Sequence, residues 1–474
     1  MRYYIGIFLL LNIFLATAQE GEEVLTLSLA EAQDLALKNS QDVVLAQIEI
    51  DKAKEQVSQA LAALLPQVNG SISYTQYGQL PGTVFPNLQE QQVNQVYSLI
   101  EDQFNELGSP LPVPISRDPS EIQDESLIQF GKKFNLNADI TATQVVFNGV
   151  FLVGIKAANE FISIVDHQKI LTEEQIKDNI KRSYYQVLAA KENISVLENN
   201  INNIQKLKDE TQALFENGFA EEIDVDRLQL SINNLNTQIN QANRQIALAE
   251  YMLKFQMGID IYQQLELVGT LNDHLATVEY DLPAKGEFDN RTELSLFNAR
   301  ENVNNYNIKR YKSEYYPSLV AYATLGSSAQ RDKFNFFKFN DDNVWINQRY
   351  FGFEIQVPIW DSFGKKSKVQ NAKLDLERIK AEREKFTNSL DLQYESAKEN
   401  LVKSKEELDF AEENIALAEK IYEVARIKYR EGVGSSIEMT NAERDLYTAQ
   451  ANKLMAIYNL LIAKADIDKA LGNY

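Results

Sequence analysis

The sequence predicts an α+β membrane protein built from two copies of one unit, in which a helix, a strand pair and a long helical hairpin follow one another. Three observations lead to this prediction. Residues 215–258 align without a gap with residues 429–472. Several ten-residue stretches alternate apolar and polar side chains, and the hairpin helices carry apolar residues at spacings of three and four, the signature of a coiled coil. A duplicated supersecondary unit of this size defines an architecture by itself.

The N-terminus is predicted to be an export signal. Residues 1–18 contain Arg2, an apolar stretch and the small-x-small sequence Ala16-Thr17-Ala18, after which signal peptidase cuts. The mature chain is then expected to begin at Gln19. A membrane anchor is the alternative, but the apolar stretch of 11 residues from 5 to 15 is shorter than the ~20 residues that a spanning helix needs.

The composition argues against several functional classes. The 474 residues include 68 acidic and 47 basic side chains, a net charge of −21 that becomes −22 when Arg2 leaves with the signal. Such a chain is not expected to bind nucleic acid, nor anionic lipid through a basic face. With no cysteine, neither a lipid anchor nor a disulfide framework is available. His167 and His274 are isolated, so the sequence predicts no enzyme, no cofactor and no metal site.

Four strands are predicted, in two pairs. Each is about ten residues long, with apolar side chains on one face and polar ones on the other, as in lipid-facing barrel strands. A soluble sheet packed on helices would show the same alternation. Aromatic residues crowd around the second pair, however, as in the girdles at membrane interfaces. The predicted strands span residues 67–78, 133–147, 317–327 and 349–360.

The third of these strands has an ambiguous apolar face. Val320 and Tyr322 alternate with Leu319, Ala321 and Ala323, and both sets are apolar. The sequence therefore leaves open which set faces lipid.

Four strands per chain require oligomerisation. The smallest single-chain membrane barrels use ~8 strands, and an open sheet edge in lipid would leave backbone groups unsatisfied. Two copies would give about eight strands and an interior filled by side chains, whereas three would give about 12 strands and a lumen. A pore therefore predicts a trimeric 12-stranded β-barrel.

Two long helical hairpins are predicted. The outgoing helix of the second runs from about Lys365 to Arg430, or ~100 Å at 1.5 Å per residue, which is longer than a bilayer core is thick. An extended coiled-coil rod would show the same pattern, and the helices alone do not exclude it. The seam residues are Val225, Leu228, Ile232, Leu235, Ile239, Ala242, Ile246, Ala249 and Leu253 in the first hairpin, and Ala397, Leu401, Ser404, Leu408, Ala411, Ile415, Ala418, Tyr422, Ala425 and Tyr429 in the second.

The remaining segments divide the chain. Residues 19–258 are predicted to form the first repeat and residues 291–474 the second, with an equatorial linker at 259–290. Residues 79–131 hold six of the ten prolines, so a long external loop is expected there.

Several short sequence motifs follow one another along the chain. They are residues 25–32, 64–66, 290–291 and 315–317, and the two helix turns that contain Gly218 and Gly432. Together they resemble the TolC family of outer-membrane efflux channels, over nearly the whole mature chain. No single piece is specific, but their order and duplication are.

The resemblance implies a homotrimer with a β-barrel in the outer membrane of a Gram-negative bacterium and a long coiled-coil α-helical tunnel in the periplasm. Such a trimer would be the exit duct of a tripartite efflux pump or type I secretion system. A periplasmic adaptor protein and an inner-membrane transporter are its implied partners. The rival hypothesis is a periplasmic or cell-surface coiled-coil scaffold without transport activity, which explains the helices but not the lipid-type strands. The five methionines are scattered, which favours small molecules over soft metals as substrates.

The resemblance also places a candidate site at the two hairpin tips, near residues 217–222 and 431–436, where the family meets its adaptor and closes the duct. The residues implied for adaptor docking are Asn217, Gly218, Phe219, Glu431, Gly432 and Val433. Those implied for a periplasmic constriction are Asp224, Glu438, Asn441 and Tyr429.

Two positions depart from the family pattern. Asn441 stands where the second copy often has an acid, and Gly434 stands where a basic residue can occur. The constriction is therefore expected to carry less charge. Helix chemistry alone offers an alternative for the other positions, because glycine ends helices by tolerating positive φ and acids are favoured in a first turn by the helix dipole.

Overall fold

The computed structural model describes residues 24–86, 88–109, 111, 118, 125–280, 282–284, 286–338 and 344–474. The predicted export signal lies outside these residues, as do parts of the proline-rich segment. The described chain divides into two compact units. The helical unit comprises residues 24–57, 156–308 and 368–474, and the sheet unit comprises residues 58–155 and 309–367.

The elements follow one another in the order that the duplication predicts. The strands are β1 (Leu25–Leu27), β2 (Gln67–Gln76), β3 (Gly82–Pro86), β4 (Glu125–Gln129), β5 (Phe134–Phe147), β6 (Leu265–Leu267), β7 (Ser318–Arg331) and β8 (Ile346–Gln356). The helices are α1 (Leu29–Asn39), α2 (Gln41–Ala62), α3 (Leu88–Glu106), α4 (Gly149–Glu216), α5 (Glu222–Gln256), α6 (Leu271–Leu275), α7 (Thr292–Ser313), α8 (Gly364–Arg430) and α9 (Ser436–Leu471).

The helices of the two copies match in length. α2 and α7 both have 22 residues, α4 and α8 have 68 and 67, and α5 and α9 have 35 and 36. Their turns match as well. Gly218, Gly258, Gly432 and Gly472 all have positive φ, and after each of them an N–H donates to the carbonyl five residues earlier. This is the Schellman ending, which favours glycine because it needs a left-handed residue. The predicted duplication is thus confirmed at the level of backbone hydrogen bonds.

The four glycines differ in what surrounds them. A Cβ at Gly258 would stand 2.7 Å from the carbonyl oxygen of Asn39, and one at Gly472 would stand 3.0 Å from that of Asn290. At Gly218 and Gly432 a Cβ would meet nothing within 4 Å. At Gly258 and Gly472 both the close packing and the backbone conformation require glycine. At Gly218 and Gly432 the backbone conformation alone favours it.

The core of the helical unit follows the predicted seams. Every seam residue named above is buried or half-buried. Farther from the tips, Tyr184 of α4 is fully buried, and its hydroxyl lies 3.1 Å from the carbonyl oxygen of Leu27 and 2.6 Å from that of Val268. These contacts tie α4 to the parallel pair β1 and β6. None of the helices in the described residues combines the length and the apolar character that crossing a bilayer requires.

The sheet unit contains one antiparallel sheet in the order β2-β5-β7-β8. Its register settles which face of the third predicted strand is apolar. Ala323 pairs with Phe351, and Tyr322 pairs with Gly352. Because paired residues of antiparallel strands share a face, the set that contains Ala323 lies on the apolar face and the set that contains Tyr322 on the polar face.

The apolar face of this sheet is exposed in the single chain. The side chains of Ile72 on β2 and Phe351 on β8 are 80% and 83% exposed. The polar face is internally bonded, with the hydroxyls of Thr141 and Thr324 3.1 Å apart. Exposure of this many large apolar groups in water is unfavourable, so the face requires an apolar environment.

Three segments differ from the expectation. β7 extends to Arg331 rather than 327, because residues 328–331 pair with residues 134–137 of β5. β8 covers Ile346–Gln356 rather than 349–360, because its pairing with β7 ends where Gln356 meets Ser318. Residues 79–131 are not wholly irregular: β3 pairs antiparallel with β4, and α3 lies between them in sequence. Proline is tolerated at strand ends, and Pro86 ends β3, so the proline count overstated the loop.

Candidate functional site at the hairpin tips

Each tip is a five-residue connection between two helices. The first joins α4 to α5 and the second joins α8 to α9. In the second, the hydroxyl of Ser435 accepts a hydrogen bond from the N–H of Glu438 at 3.2 Å, an N-cap. In the first, the carboxylate of Asp224 accepts one from the N–H of Glu221 at 3.3 Å. The acid six residues after each tip glycine is therefore the third residue of a helix. At this position the helix dipole also stabilises its negative charge.

Asp224 joins the two hairpins. Its carboxylate accepts a hydrogen bond from the hydroxyl of Ser436, the first residue of α9. The same carboxylate lies 3.5 Å from the guanidinium of Arg227, which donates to the Ser436 hydroxyl oxygen at 3.0 Å. Asp224 is half-buried, and the opposite charges of Asp224 and Arg227 offset each other. The three residues form a closed polar cluster between α5 and α9.

Tyr429 faces α4. Its hydroxyl lies 3.2 Å from that of Thr211, and both residues are buried. Since the Thr211 hydroxyl donates to the carbonyl of Leu207 at 2.8 Å, the Tyr429 hydroxyl is the donor to Thr211. Burial raises the pKa of Tyr429 above that of a free phenol, with the hydrogen bond to Thr211 acting in the opposite direction and the nearby Asp224 charge raising it further. Tyr429 is therefore a neutral donor at any pH near 7.

Glu438 and Asn441 lie elsewhere. Both are exposed, and they line a groove of about 480 Å³ between α8 and α9 that Asp224 does not reach. The structure thus separates the four residues predicted for the constriction into two that hold the hairpins together and two that are open to solvent. The groove also contains Leu417, Lys420, Ile421, Val424, Ala425, Lys428, Ala442 and Asp445.

A cleft of about 700 Å³ lies between the two tips. Six of the ten predicted site residues line it: Gly218, Phe219, Asp224, Tyr429, Glu431 and Gly432.

Of the other residues predicted for docking, Asn217 donates from its amide to the carbonyl of Ala213 at 2.7 Å and so caps the end of α4. Phe219 and Val433 are 82% and 79% exposed, which gives each tip one prominent apolar side chain. These exposed apolar side chains lie beside a cleft lined by charged residues, a combination that suits contact with another protein.

Sequence reasoning missed four residues near the tips: Thr211, Arg227, Ser436 and Glu443. The first three act through partners that are distant in sequence, so no local signal marks them. Glu443 did have a signal, because it follows Met439 by four residues and precedes Leu446 by three, which places a carboxyl in an apolar seam. It is 6% exposed, and burial raises its pKa to about 8.

The fold of this chain is similar to that of known outer-membrane channels. Two solved structures share the fold across 94% of this chain, both at 17% identity. One is CusC, described in terms of transmembrane channel formation, with a TM-score of 0.70 and 92% of its chain covered. The other is the CmeC outer membrane channel of Campylobacter jejuni, with a TM-score of 0.65 and 85% of its chain covered.

Sequence comparison adds a relative and a family. The probable efflux pump outer membrane protein TtgC of Pseudomonas putida is 22% identical over 308 residues, which are 64% of this chain and 61% of TtgC, so the match spans less than two thirds of that relative. Residues 287–473 match the model of the outer membrane efflux protein family. This match covers the second copy of the repeat, which is therefore similar to the outer membrane efflux protein family.

The matched residues contain one of the two tips. They include all of α8 and α9, and therefore Tyr429, Ser436 and Glu443. Asp224 and Thr211 lie in the first copy, outside the match. The hydrogen bonds that join the hairpins thus connect a matched tip to its duplicate.

Proposed function

We propose that this protein is the outer-membrane channel component of a tripartite efflux pump or type I secretion system, a passive and gated exit duct. The sheet carries the proposal. Its apolar face is exposed, and β2 and β8 have no strand neighbour on their outer edges among the described residues. In lipid an open edge leaves backbone groups unsatisfied, so the sheet must be completed by further copies.

Three copies complete it with a lumen. Joining β8 of one protomer to β2 of the next gives about 12 strands, enough to leave a water-filled interior. The polar face, with Ser71, Thr141 and Glu354, then lines that interior. A coiled-coil scaffold would account for α4, α5, α8 and α9 but gives no use for a sheet of this kind.

The hairpins of the same trimer also need neighbours. A groove of about 590 Å³ between α8 and α9 is bordered by Phe410, Leu417, Ile421 and Met455, which are all exposed in the single chain. Apolar side chains at this spacing fit a further helix. Packing of the hairpins of adjacent protomers would bury them and form a helical tunnel.

We place the strands in the outer membrane of a Gram-negative bacterium and the hairpins in the periplasm, after export with a cleaved signal peptide. The partners are a periplasmic adaptor protein, docked at Asn217, Gly218, Phe219, Glu431, Gly432 and Val433, and an inner-membrane transporter that selects the substrate and supplies the energy. Small molecules are the proposed substrates, in line with the efflux pump to which TtgC is assigned by name.

The four constriction residues take two roles in this proposal. Glu438 and Asn441, which are exposed in the single chain, are the residues proposed to narrow the duct. Asp224 and Tyr429 bond the hairpins to each other and so keep the tips together. Three Glu438 side chains around one axis would attract cations.

Planar-bilayer conductance of the purified, detergent-extracted trimer tests the function. Discrete small channels, blocked by multivalent cations added from the tip side, are expected. Combining Asp224→Ala with Glu438→Ala should raise the conductance and weaken the block. A verified trimer that conducts neither as the wild type nor as this double variant would overturn the channel proposal in favour of a scaffold.

A further inference from the structure

A single carboxyl group interrupts the apolar seam of α9. Glu443 lies between Met439 and Leu446, both of which are buried, and is itself 6% exposed. Its Oε1 atom has no hydrogen-bond partner among the described residues. A buried polar group without a partner is costly, so it is rare in native proteins unless it serves a purpose.

The charged groups near Glu443 do not bond to it. On α8, Arg426 lies 3.3 Å from Glu423 while its Nε atom has no hydrogen-bond partner among the described residues, and Tyr422 is buried in the seam. On α5, Arg227 belongs to the cluster with Asp224 and Ser436.

The neighbours on α9 and α4 form no hydrogen bond or ion pair with Glu443 among the described residues either. On α9 itself, Arg444 is exposed and the Tyr447 hydroxyl donates to Gln238 at 2.8 Å. α4 contributes Asn200 and Ile204, neither of which titrates. Burial is the one cause of the raised pKa of Glu443, and no cation offsets it. The group is therefore held as a neutral acid while the seam is packed.

The Glu443 side chain borders a cavity that can hold water. A cavity of about 530 Å³ between α5 and α9 includes Glu443 in its lining, and most of the lining residues are polar. Separation of α5 from α9 would let this cavity hydrate the carboxyl directly. The polar lining residues are Asn200, Arg227, Ser231, Asn234, Gln238, Thr440, Asn441, Arg444, Tyr447 and Thr448.

The first copy of the repeat has a neutral residue, Gln229, at the position that corresponds to Glu443. Gln229 stands 11 residues after Gly218, as Glu443 does after Gly432. Gln229 accepts a hydrogen bond from Lys208 at 2.7 Å and donates to Asn233 at 3.0 Å. The first hairpin therefore has a neutral, satisfied side chain where the second has an unpaired acid. Packing alone does not require a carboxyl here.

We propose that Glu443 is a proton-controlled latch between α5 and α9: neutral Glu443 fits the packed seam, and its ionisation favours separation of the two helices. The latch rests on the proposed function, because separation of these helices near the tips is what would open the duct. Its direction follows from linkage. A carboxyl that loses its proton on opening makes opening more favourable as pH rises, by up to about tenfold in the equilibrium constant per pH unit and per Glu443.

The absence of cysteine makes the test direct. Asn234→Cys on α5 and Thr448→Cys on α9 place spin labels on opposite sides of the cavity, in the full-length protein in detergent or nanodiscs. Electron double resonance between about pH 5.5 and 9.5 should show a short distance at low pH and a growing long-distance population with a midpoint near 8. With Glu443→Gln the distance should stay short across the range. Glu443→Met serves as a second neutral variant if the glutamine variant fails to assemble.

The matched control is Glu419→Gln, which removes one exposed acid from α8. It should keep the pH response of the parent. A distance that does not change with pH, or that changes equally with Glu443→Gln, would overturn the latch. Conductance of the same samples separates this result from the function: channels without a pH-dependent distance remove only the latch, whereas a verified trimer without channels removes only the duct.

Discussion

The hydroxyl of Tyr429 on α8 lies 3.2 Å from the hydroxyl of Thr211 on α4, and both residues are buried. The outgoing helices of the two hairpins are thus bonded to each other close to their tips. The returning helices α5 and α9 are bonded through Asp224 and Ser436. Both the outgoing and the returning helices of the two copies are therefore bonded to each other at this end of the helical unit.

Removing the phenolic hydroxyl with Tyr429→Phe should loosen the first of these joints. The Thr211 oxygen loses its donor in a buried site, which typically costs about 1 to 2 kcal/mol. Thermal unfolding followed by circular dichroism should show a lower midpoint, and protease cleavage at the tips should become faster. Tyr251→Phe, on an exposed side chain of α5, is the control and should change neither.

Breaking the second joint should affect conductance more than stability. Asp224→Ala removes the acceptor of the Ser436 hydroxyl and the carboxylate beside Arg227, so of this cluster only the Arg227–Ser436 hydrogen bond still links α5 to the first turn of α9. Single-channel conductance should rise. Glu222→Gln removes an exposed acid two residues away and should leave conductance unchanged. Equal conductance in the two variants would remove Asp224 from the closure of the tips.

A bulky residue at Gly432 should separate docking from folding. The backbone there has φ of 69°, so any L-residue costs about 1 to 2 kcal/mol, but no atom lies within 4 Å of the added Cβ. Gly432→Leu should therefore keep the trimer and lose efflux in cells. Gly218→Ala imposes the same backbone cost at the first tip without bulk. Full efflux with Gly432→Leu would argue against docking at this tip.

Charge on the two faces of β2 should have unequal effects. Ile72→Lys places an ammonium group on the apolar face, where a barrel in lipid loses about 2 to 4 kcal/mol at mid-membrane. Ser73→Lys places the same group on the polar face. Heat-modifiable migration of the trimer on gels should be lost with Ile72→Lys and kept with Ser73→Lys. Loss in both, or in neither, would contradict a lipid-facing sheet.

Stability should depend on pH through Glu443. Its pKa in the folded protein is raised to about 8, above the ordinary carboxyl value, so its contribution is full below the unfolded pKa and is lost as pH rises towards 8. The expected loss is up to about 1.4 kcal/mol per protomer for each pH unit in that window. Glu443→Gln should flatten this part of the stability curve. Denaturant unfolding at several pH values measures the slope, and an unchanged slope would contradict the burial of an acid here.

The sequence predicted what local periodicity encodes. The seams that contain Leu228 and Leu401 are read from spacings of three and four, and the sheet faces from alternation, because both patterns repeat within one element. The partners of Asp224 and Tyr429 could not be read, since Ser436 and Thr211 lie more than 200 residues away from them. The end of β7 was missed for a related reason. Residues 328–331 extend the strand because residues 134–137 of β5 pair with them, and local sequence does not show this pairing.

The unequal surroundings of the four turn glycines divide the molecule into regions that can and cannot change. Gly258 and Gly472 are fixed by backbone carbonyls that would collide with any side chain. Gly218 and Gly432 face open space, so a side chain at either position adds backbone strain but collides with no neighbouring atom. Under the proposed function, a change in a few exposed tip residues would therefore suit the tips to a different partner, while Gly258 and Gly472 at the far ends of the same hairpins stay fixed.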